Sequence, residues 1–318
     1  MQNKIRNYLS LVKFSHTIFA MPFALIGFFL GIQFWVNFDE ETVSGYAFWF
    51  TRKTTVYDAL FDSYTINILI LVILCMIFAR SAAMAFNRWL DKKFDALNPR
   101  TAIREIPKGI ITEKNALIFV IVNCILFVAT TYFINSICFY LSPVALFIIL
   151  FYSYTKRFTP LCHLVLGLGL SLAPIGAYLA VTGKFDLLPI LFSLTVLFWV
   201  SGFDIIYALQ DEEFDKANNL YSIPAMLGKE KALRVSELLH LLSLGCVIVA
   251  GIYGQFHWLY WIGVGIFGGM LIYQHSIVKP NDLRKVNLAF MTANGIASVI
   301  FAIFVLLDLF IFKTTFPL

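Results

Sequence analysis

Apolar runs of about twenty residues, the length that crosses a bilayer, recur nine times along this 318-residue chain. They are expected near 14–36, 66–86, 115–134, 137–154, 163–182, 187–207, 235–254, 257–276 and 288–309. Backbone groups in hydrocarbon must bond within their own segment, so runs of this length become helices. Composition agrees: 60% of residues are hydrophobic and 14% charged, where soluble domains carry about a quarter charged. The expected fold is all-α, nine transmembrane helices in a single domain over 1–318. Pro143 is expected to interrupt the fourth run, and Pro174 and Pro189 to interrupt or open the fifth and sixth, which suggests packing around a central cavity. The lipid bilayer is an expected partner and nucleic acid is not. The first run leads into Gln33, Phe34 and Trp35 rather than a small-residue cleavage site, so it is expected to stay as a span.

Lys and Arg set the orientation. With the N-terminus cytoplasmic, 20 of the 24 fall on that side, and Arg52, Lys53, Lys184 and Lys313 fall on the other. The C-terminus is then outside. The stretch 37–65, with Trp49, Tyr57 and other aromatics, reads as an outer insertion lying along the membrane surface. The five cysteines form no CxxC pair and read as small apolar helix residues.

Two polar stripes stand at cytoplasmic ends of these runs. Asn87, Asp91 and Asp95 are spaced i, i+4 and i+8; Tyr207, Asp211 and Asp215 repeat the spacing, with Asp204 seven residues before Asp211. On a continuous helix each set shares one face. Stacked carboxylates repel unless a cation lies between them. Hard oxygen donors suit Mg²⁺, which keeps part of its shell for phosphate. Asp91, Asp95, Asp211 and Asp215 are therefore candidate metal ligands at a diphosphate site, with Asn87 and Tyr207 as substrate contacts. Intramembrane carboxylates also mark transporter pathways, but those sit in mid-helix and these cluster at helix ends. The recurrence four helices apart, each time before a polar proline-bearing loop, suggests a duplicated four-helix unit plus a ninth helix.

The loop ALNPRTAIREIPKG (96–109) follows the first stripe, and YSYTKRFTP (152–160) follows the fourth run. Arg88 and Arg104, together with Tyr154, Lys156 and Arg157, are candidate diphosphate contacts, since guanidinium groups pair bidentately with phosphate. Lys92, Lys93 and Lys108 read as ordinary cytoplasmic charge, and Arg100 is given no role. His16 reads as an interfacial hydrogen-bonding residue. The other four histidines have no carboxylate or histidine at useful sequence spacing.

These motifs resemble the UbiA superfamily of intramembrane prenyltransferases. The resemblance rests on NxxxDxxxD at Asn87, Asp91 and Asp95, and on DxxYAxQDxxxD from Asp204 to Asp215. It rests also on NPRTAxRxxPxG over 98–109, the Lys156–Arg157 pair, the His16–Thr17 opening and Ser222-Ile223-Pro224. The motifs span 13–228, and the last three runs match in hydropathy alone. The resemblance implies a UbiA-type bundle, Mg²⁺ as cofactor, and a polyprenyl diphosphate and a hydroxylated aromatic acid as substrates. The YALQD wording is most similar to 4-hydroxybenzoate polyprenyltransferases of respiratory quinone synthesis; a dihydroxynaphthoate acceptor of menaquinone synthesis is the alternative. It implies that Asp204 orients or deprotonates the acceptor hydroxyl. Arg88, Lys156 and Arg157 would supply positive charge to the leaving group. A bacterial-type inner membrane is the implied location.

Overall fold

The computed structural model of the chain describes residues 2–12, 20–37 and 62–312. The His16–Thr17 opening and the aromatic stretch from 38 to 61 lie outside them. In chain order the helices are α1 (Gln2–Leu11), α2 (Met21–Asn37), α3 (Ser63–Leu90), α4 (Lys92–Leu97), α5 (Glu113–Ile134) and α6 (Ser136–Thr155). Then come α7 (Cys162–Thr182), α8 (Leu187–Ala208), α9 (Glu212–Ala217), α10 (Ile223–Leu227), α11 (Lys229–Tyr253), α12 (Trp258–Ile277) and α13 (Asn294–Ile311). Among the described residues, seven spans are long and apolar enough to cross a membrane, and Met21–Val36 is a shorter apolar helix. The expected nine thus stand at seven and a shorter eighth. The expected run at 257–276 does form α12, but Trp, Tyr, Gln and His lower its hydropathy.

Proline does not break α6 or α7 as expected. Pro143 has no N–H to give the Phe139 carbonyl one turn back. Ser142 Oγ donates to that carbonyl instead, at 2.8 Å, so α6 runs on through the proline. Pro189 sits in the first turn of α8, where an N–H has no helical partner to lose. Pro174 lies inside α7 where α2 crosses it. A Cβ added at Gly27 would fall 2.0 Å from the Pro174 carbonyl oxygen, so glycine there sets how closely the two backbones approach.

Helix α8 is the axis of the bundle, packing on α7 on one side and α11 on the other. Its Trp199 is fully buried, with Phe23, Phe203 and Phe267 ring centroids 5.5, 5.2 and 5.9 Å away. The indole N–H donates to Asn294 Oδ1 at 2.9 Å, as its polar handle requires. Asn294 in turn donates to the Ala289 and Phe290 carbonyls at 3.2 and 3.0 Å, inside a π-helical turn at Leu288–Ala293. A π turn leaves carbonyls without regular partners, and this side chain supplies one. The turn seats the Phe290 ring 4.3 Å from that of Tyr207, so core packing reaches the second polar motif directly.

Candidate active site

Both aspartate motifs fall where a long helix breaks. α3 ends at Leu90 and Asp91 takes φ −91°, ψ 7° before α4. α8 gives way to a 3₁₀ turn, Leu209–Asp211, and Asp211 takes φ −103°, ψ 2°. The two breaks match in backbone as well as in sequence. They also correct the expectation of two unbroken stripes. Asp91 and Asp211 line a cavity of about 570 Å³ together with Asn87, Lys156, Asp204 and Tyr207. Asp95 and Asp215 are turned behind its wall, 6% and 0% exposed. Deeper in, the lining is apolar, including Met76, Leu141, Ile148, Leu170 and Leu179.

Each of the four aspartates meets its own cation. Arg157 Nη2 lies 2.8 Å from Asp91 Oδ1, and Arg104 Nη1 contacts both oxygens of Asp95 at 2.8 and 2.9 Å. Arg100 Nη2 is 2.5 Å from Asp211 Oδ2, and Lys156 Nζ is 2.7 Å from Asp215 Oδ1. Arg157 is held further by the rings of Phe94 and Tyr154, at 5.6 and 5.4 Å. Tyr154, half exposed and off the cavity wall, thus touches the cation rather than the cavity. Arg100 also donates to the Tyr207 hydroxyl at 2.9 Å, and Asn98 to Asp211 at 3.1 Å.

Burial pushes the Asp91 carboxyl above its ordinary range, and Arg157 pulls it part of the way back. Burial would lower Lys156, but Asp215 outweighs it, with Asp211 and Asp91 adding to the effect, so the ammonium is held charged. Arg100 is likewise raised despite its burial, by Asp211 and Tyr207.

Arg88 is a correction. It follows Asn87 by one residue, about 100° round the helix, and so leaves the cavity face. Its guanidinium is 3% exposed and paired with Glu105, which also accepts from Ser10 of α1. Arg88 therefore ties the 98–112 loop to α3, off the cavity wall. Arg104 points to Asp95 and stays off the cavity wall.

Three residues escaped the sequence reading, and two of them, Arg80 and His163, line the cavity. Arg100 was given no role; its position two residues after the turn-forming Asn98, whose Oδ1 accepts from Arg100 N at 3.0 Å, was the available signal. Arg80 lines the cavity with Nε buried and without a hydrogen-bond partner. It stands seven residues before Asn87, on the same face of α3, and a lone charge inside a span points to function. The third is His163, whose Nδ1 lies 2.6 Å from Asp204 Oδ2 although the two are 41 positions apart. The expectation that these histidines lack partners is wrong, because α7 and α8 bring together residues that no sequence spacing links. His240 and His275 meet in the same way, at 2.9 Å.

The donor set suits a hard divalent cation: carboxylates, with the Asn87 amide beside them. Buried Asp215 is not part of that set: it lies behind the wall, with Lys156 Nζ 2.7 Å from its Oδ1. Among the described residues no three acidic, His or Cys side chains converge as a preformed cluster. Asp91 and Asp211, facing the cavity from the two breaks, are the residues placed to hold such a cation.

An all-helical membrane bundle with matching aspartate-bearing breaks at the mouth of an apolar cavity defines the class: an integral membrane protein built around a carboxylate-rimmed pocket. The UbiA prenyltransferase family model matches residues 56–304, and the chain belongs to that family. The match runs into α13, well past the motif-bearing region. A 4-hydroxybenzoate octaprenyltransferase of Tolumonas auensis is 30% identical over 70% of this chain and 78% of its own. One from Aliivibrio salmonicida is 31% identical over 74% and 82%. Among solved structures, an apo UbiA homolog from Aeropyrum pernix K1 superposes with a TM-score of 0.71 at 26% identity, covering 93% of this chain and 97% of that one. A UbiA homolog from Archaeoglobus fulgidus bound to DMAPP and Mg²⁺ shares the fold, with a TM-score of 0.66 at 20% identity over 95% and 98%. The chain is a prenyltransferase.

Proposed function

We propose that this enzyme transfers a polyprenyl group from its diphosphate to a hydroxylated aromatic acid, with 4-hydroxybenzoate as the acceptor, in respiratory quinone synthesis. The observation that carries the acid is Arg80. A guanidinium in an apolar wall, without a partner among the described residues, calls for an anion, and a carboxylate fits it bidentately. The names of the relatives support the benzoate over the naphthoate.

Asp91 and Asp211 would hold Mg²⁺, which when bound neutralises charge building on the diphosphate, while Asp95 and Asp215 behind the wall hold Arg104 and Lys156 in place. Arg157, Lys156 and Arg100 place fixed positive charge around the same mouth, and its preorganisation favours the leaving group. The ring carbon beside the phenol attacks the allylic carbon; the C–O bond breaks with its electron pair going to diphosphate, and the ring proton passes to the released diphosphate as the ring regains aromaticity. Asp204, on the cavity wall, takes up the hydroxyl proton during attack and returns it to the phenolate afterwards. The apolar cavity keeps water from the allylic centre. The cytoplasmic face of a bacterial-type inner membrane is the proposed setting, with the N-terminus inside.

Purified enzyme given Mg²⁺, a polyprenyl diphosphate and equal amounts of 4-hydroxybenzoate and 1,4-dihydroxynaphthoate tests the reading. Mass analysis is expected to find the prenylated benzoate. Prenylated naphthoate alone would overturn the acceptor assignment.

A further inference from the structure

Asp204 has one oxygen engaged and one available. Oδ2 is taken by His163 Nδ1 at 2.6 Å, and Oδ1 makes no hydrogen bond among the described residues while the side chain keeps 23% of its surface exposed. His163 itself is nearly inaccessible, at 4%. Its far nitrogen, Nε2, accepts from the backbone N–H of Ile223 at 3.4 Å. A ring nitrogen that accepts carries no proton, so the other must, which fixes the tautomer. His163 therefore presents Nδ1–H to Asp204 Oδ2.

The turn that sets this tautomer is built for it. Ser222 Oγ caps α10 by accepting from Ala225 N at 3.2 Å. Ile223 N–H, the first of that helix, has no carbonyl one turn back and is free to face the ring. The same turn is joined to the end of α6 by Tyr221 N–H donating to the Lys156 carbonyl at 2.7 Å. Ser201 Oγ fixes α7 against α8 by donating to the His163 carbonyl at 3.1 Å.

We propose that His163 is a positioning residue for the acceptor: held in one tautomer by the 222–224 turn, it locks Asp204 so that the free oxygen faces the acceptor hydroxyl. The proposal rests on the acceptor role given to Asp204 above. It predicts which step suffers when the lock is removed. Acceptor use falls while prenyl diphosphate use stays, because the ion-paired aspartates at the mouth do not depend on the ring.

The test is steady-state kinetics of the purified full-length enzyme with Mg²⁺, a polyprenyl diphosphate and 4-hydroxybenzoate, each substrate varied in turn. His163→Ala is expected to lower kcat/KM for the acceptor roughly tenfold or more, with the prenyl diphosphate KM within about twofold. His163→Gln, whose amide can donate to Asp204 and accept from Ile223, is expected to restore most of the loss. Ile223→Pro is expected to resemble His163→Ala, because it deletes the N–H at a first helical position that tolerates proline; Ile223→Ala, which keeps the N–H, is expected to do so far less. This second pair decides the matter if His163→Ala does not fold. Parallel loss for both substrates, equal effects of the two Ile223 variants, or wild-type kinetics of His163→Ala would each overturn the proposal. Asp204→Asn separates the two levels. If it spares acceptor kinetics, the reading of Asp204 fails; if it damages them while His163→Ala does not, only the lock fails.

Discussion

Arg80 stands apart from the other cations of this site, and under the proposed function it receives the acceptor's carboxylate. Its guanidinium has no carboxylate of its own, whereas every aspartate at or behind the mouth has a cation. Replacing Arg80 with Gln is expected to raise KM for 4-hydroxybenzoate by roughly 10- to 100-fold, the equivalent of losing one charge-assisted hydrogen bond. An acceptor lacking the carboxylate is expected to be insensitive, and equal losses for both would refute the assignment. Asp91→Asn and Asp211→Asn are expected to lower turnover roughly 10²-fold or more, since each removes an anionic cavity-facing donor. Assays at saturating Mg²⁺ check this, and near-normal rates would remove these residues from the metal site. At this scale the sequence was most informative where spacing stays within one helix: Asn87 and Asp91, like Tyr207 and Asp211, do share the cavity. It was silent on His163 and Asp204, because only the packing of α7 on α8 makes them neighbours.

Among the elements, the ends of the apolar runs were legible to within a residue or so where polar residues flank them. α6, expected at 137–154, is Ser136–Thr155; α8, expected at 187–207, is Leu187–Ala208. α11 begins at Lys229, six residues before its expected start at 235, because its first turns are charged and extend the helix beyond the apolar run. The helix breaks at Asp91 and Asp211 were hidden for a different reason. No glycine or proline marks them, and the i, i+4 spacing is as good in a continuous helix. Pro143 misled in the opposite direction, since a neighbouring serine satisfied the carbonyl. Ser142→Ala is therefore expected to cost about 1 kcal/mol of stability. Thermal unfolding in detergent checks it: a lower Tm with unchanged turnover of the folded enzyme is expected, and an unchanged Tm would discount the substitution of hydroxyl for N–H.

For the molecule as a whole, the charge asymmetry and the placement of both motifs at one end of the bundle make one claim about sidedness. In a cysteine-free background, a cysteine replacing Ile103, an exposed residue of the 98–112 loop, is expected to react with impermeant reagent from the cytoplasm. A cysteine replacing exposed Lys184 is expected to react from the opposite side; reversal would invert the route by which substrates enter. The larger claim is that two helix breaks, four long helices apart in the chain yet alike in backbone, form one diphosphate site over an apolar cavity. Transfer of a labelled prenyl group to 4-hydroxybenzoate by the purified enzyme, with Mg²⁺ and after exhaustive chelation, measures that claim most directly. The account predicts prenylated benzoate with the metal, none after chelation, and recovery when Mg²⁺ is restored. Undiminished transfer in the chelated enzyme would contradict it.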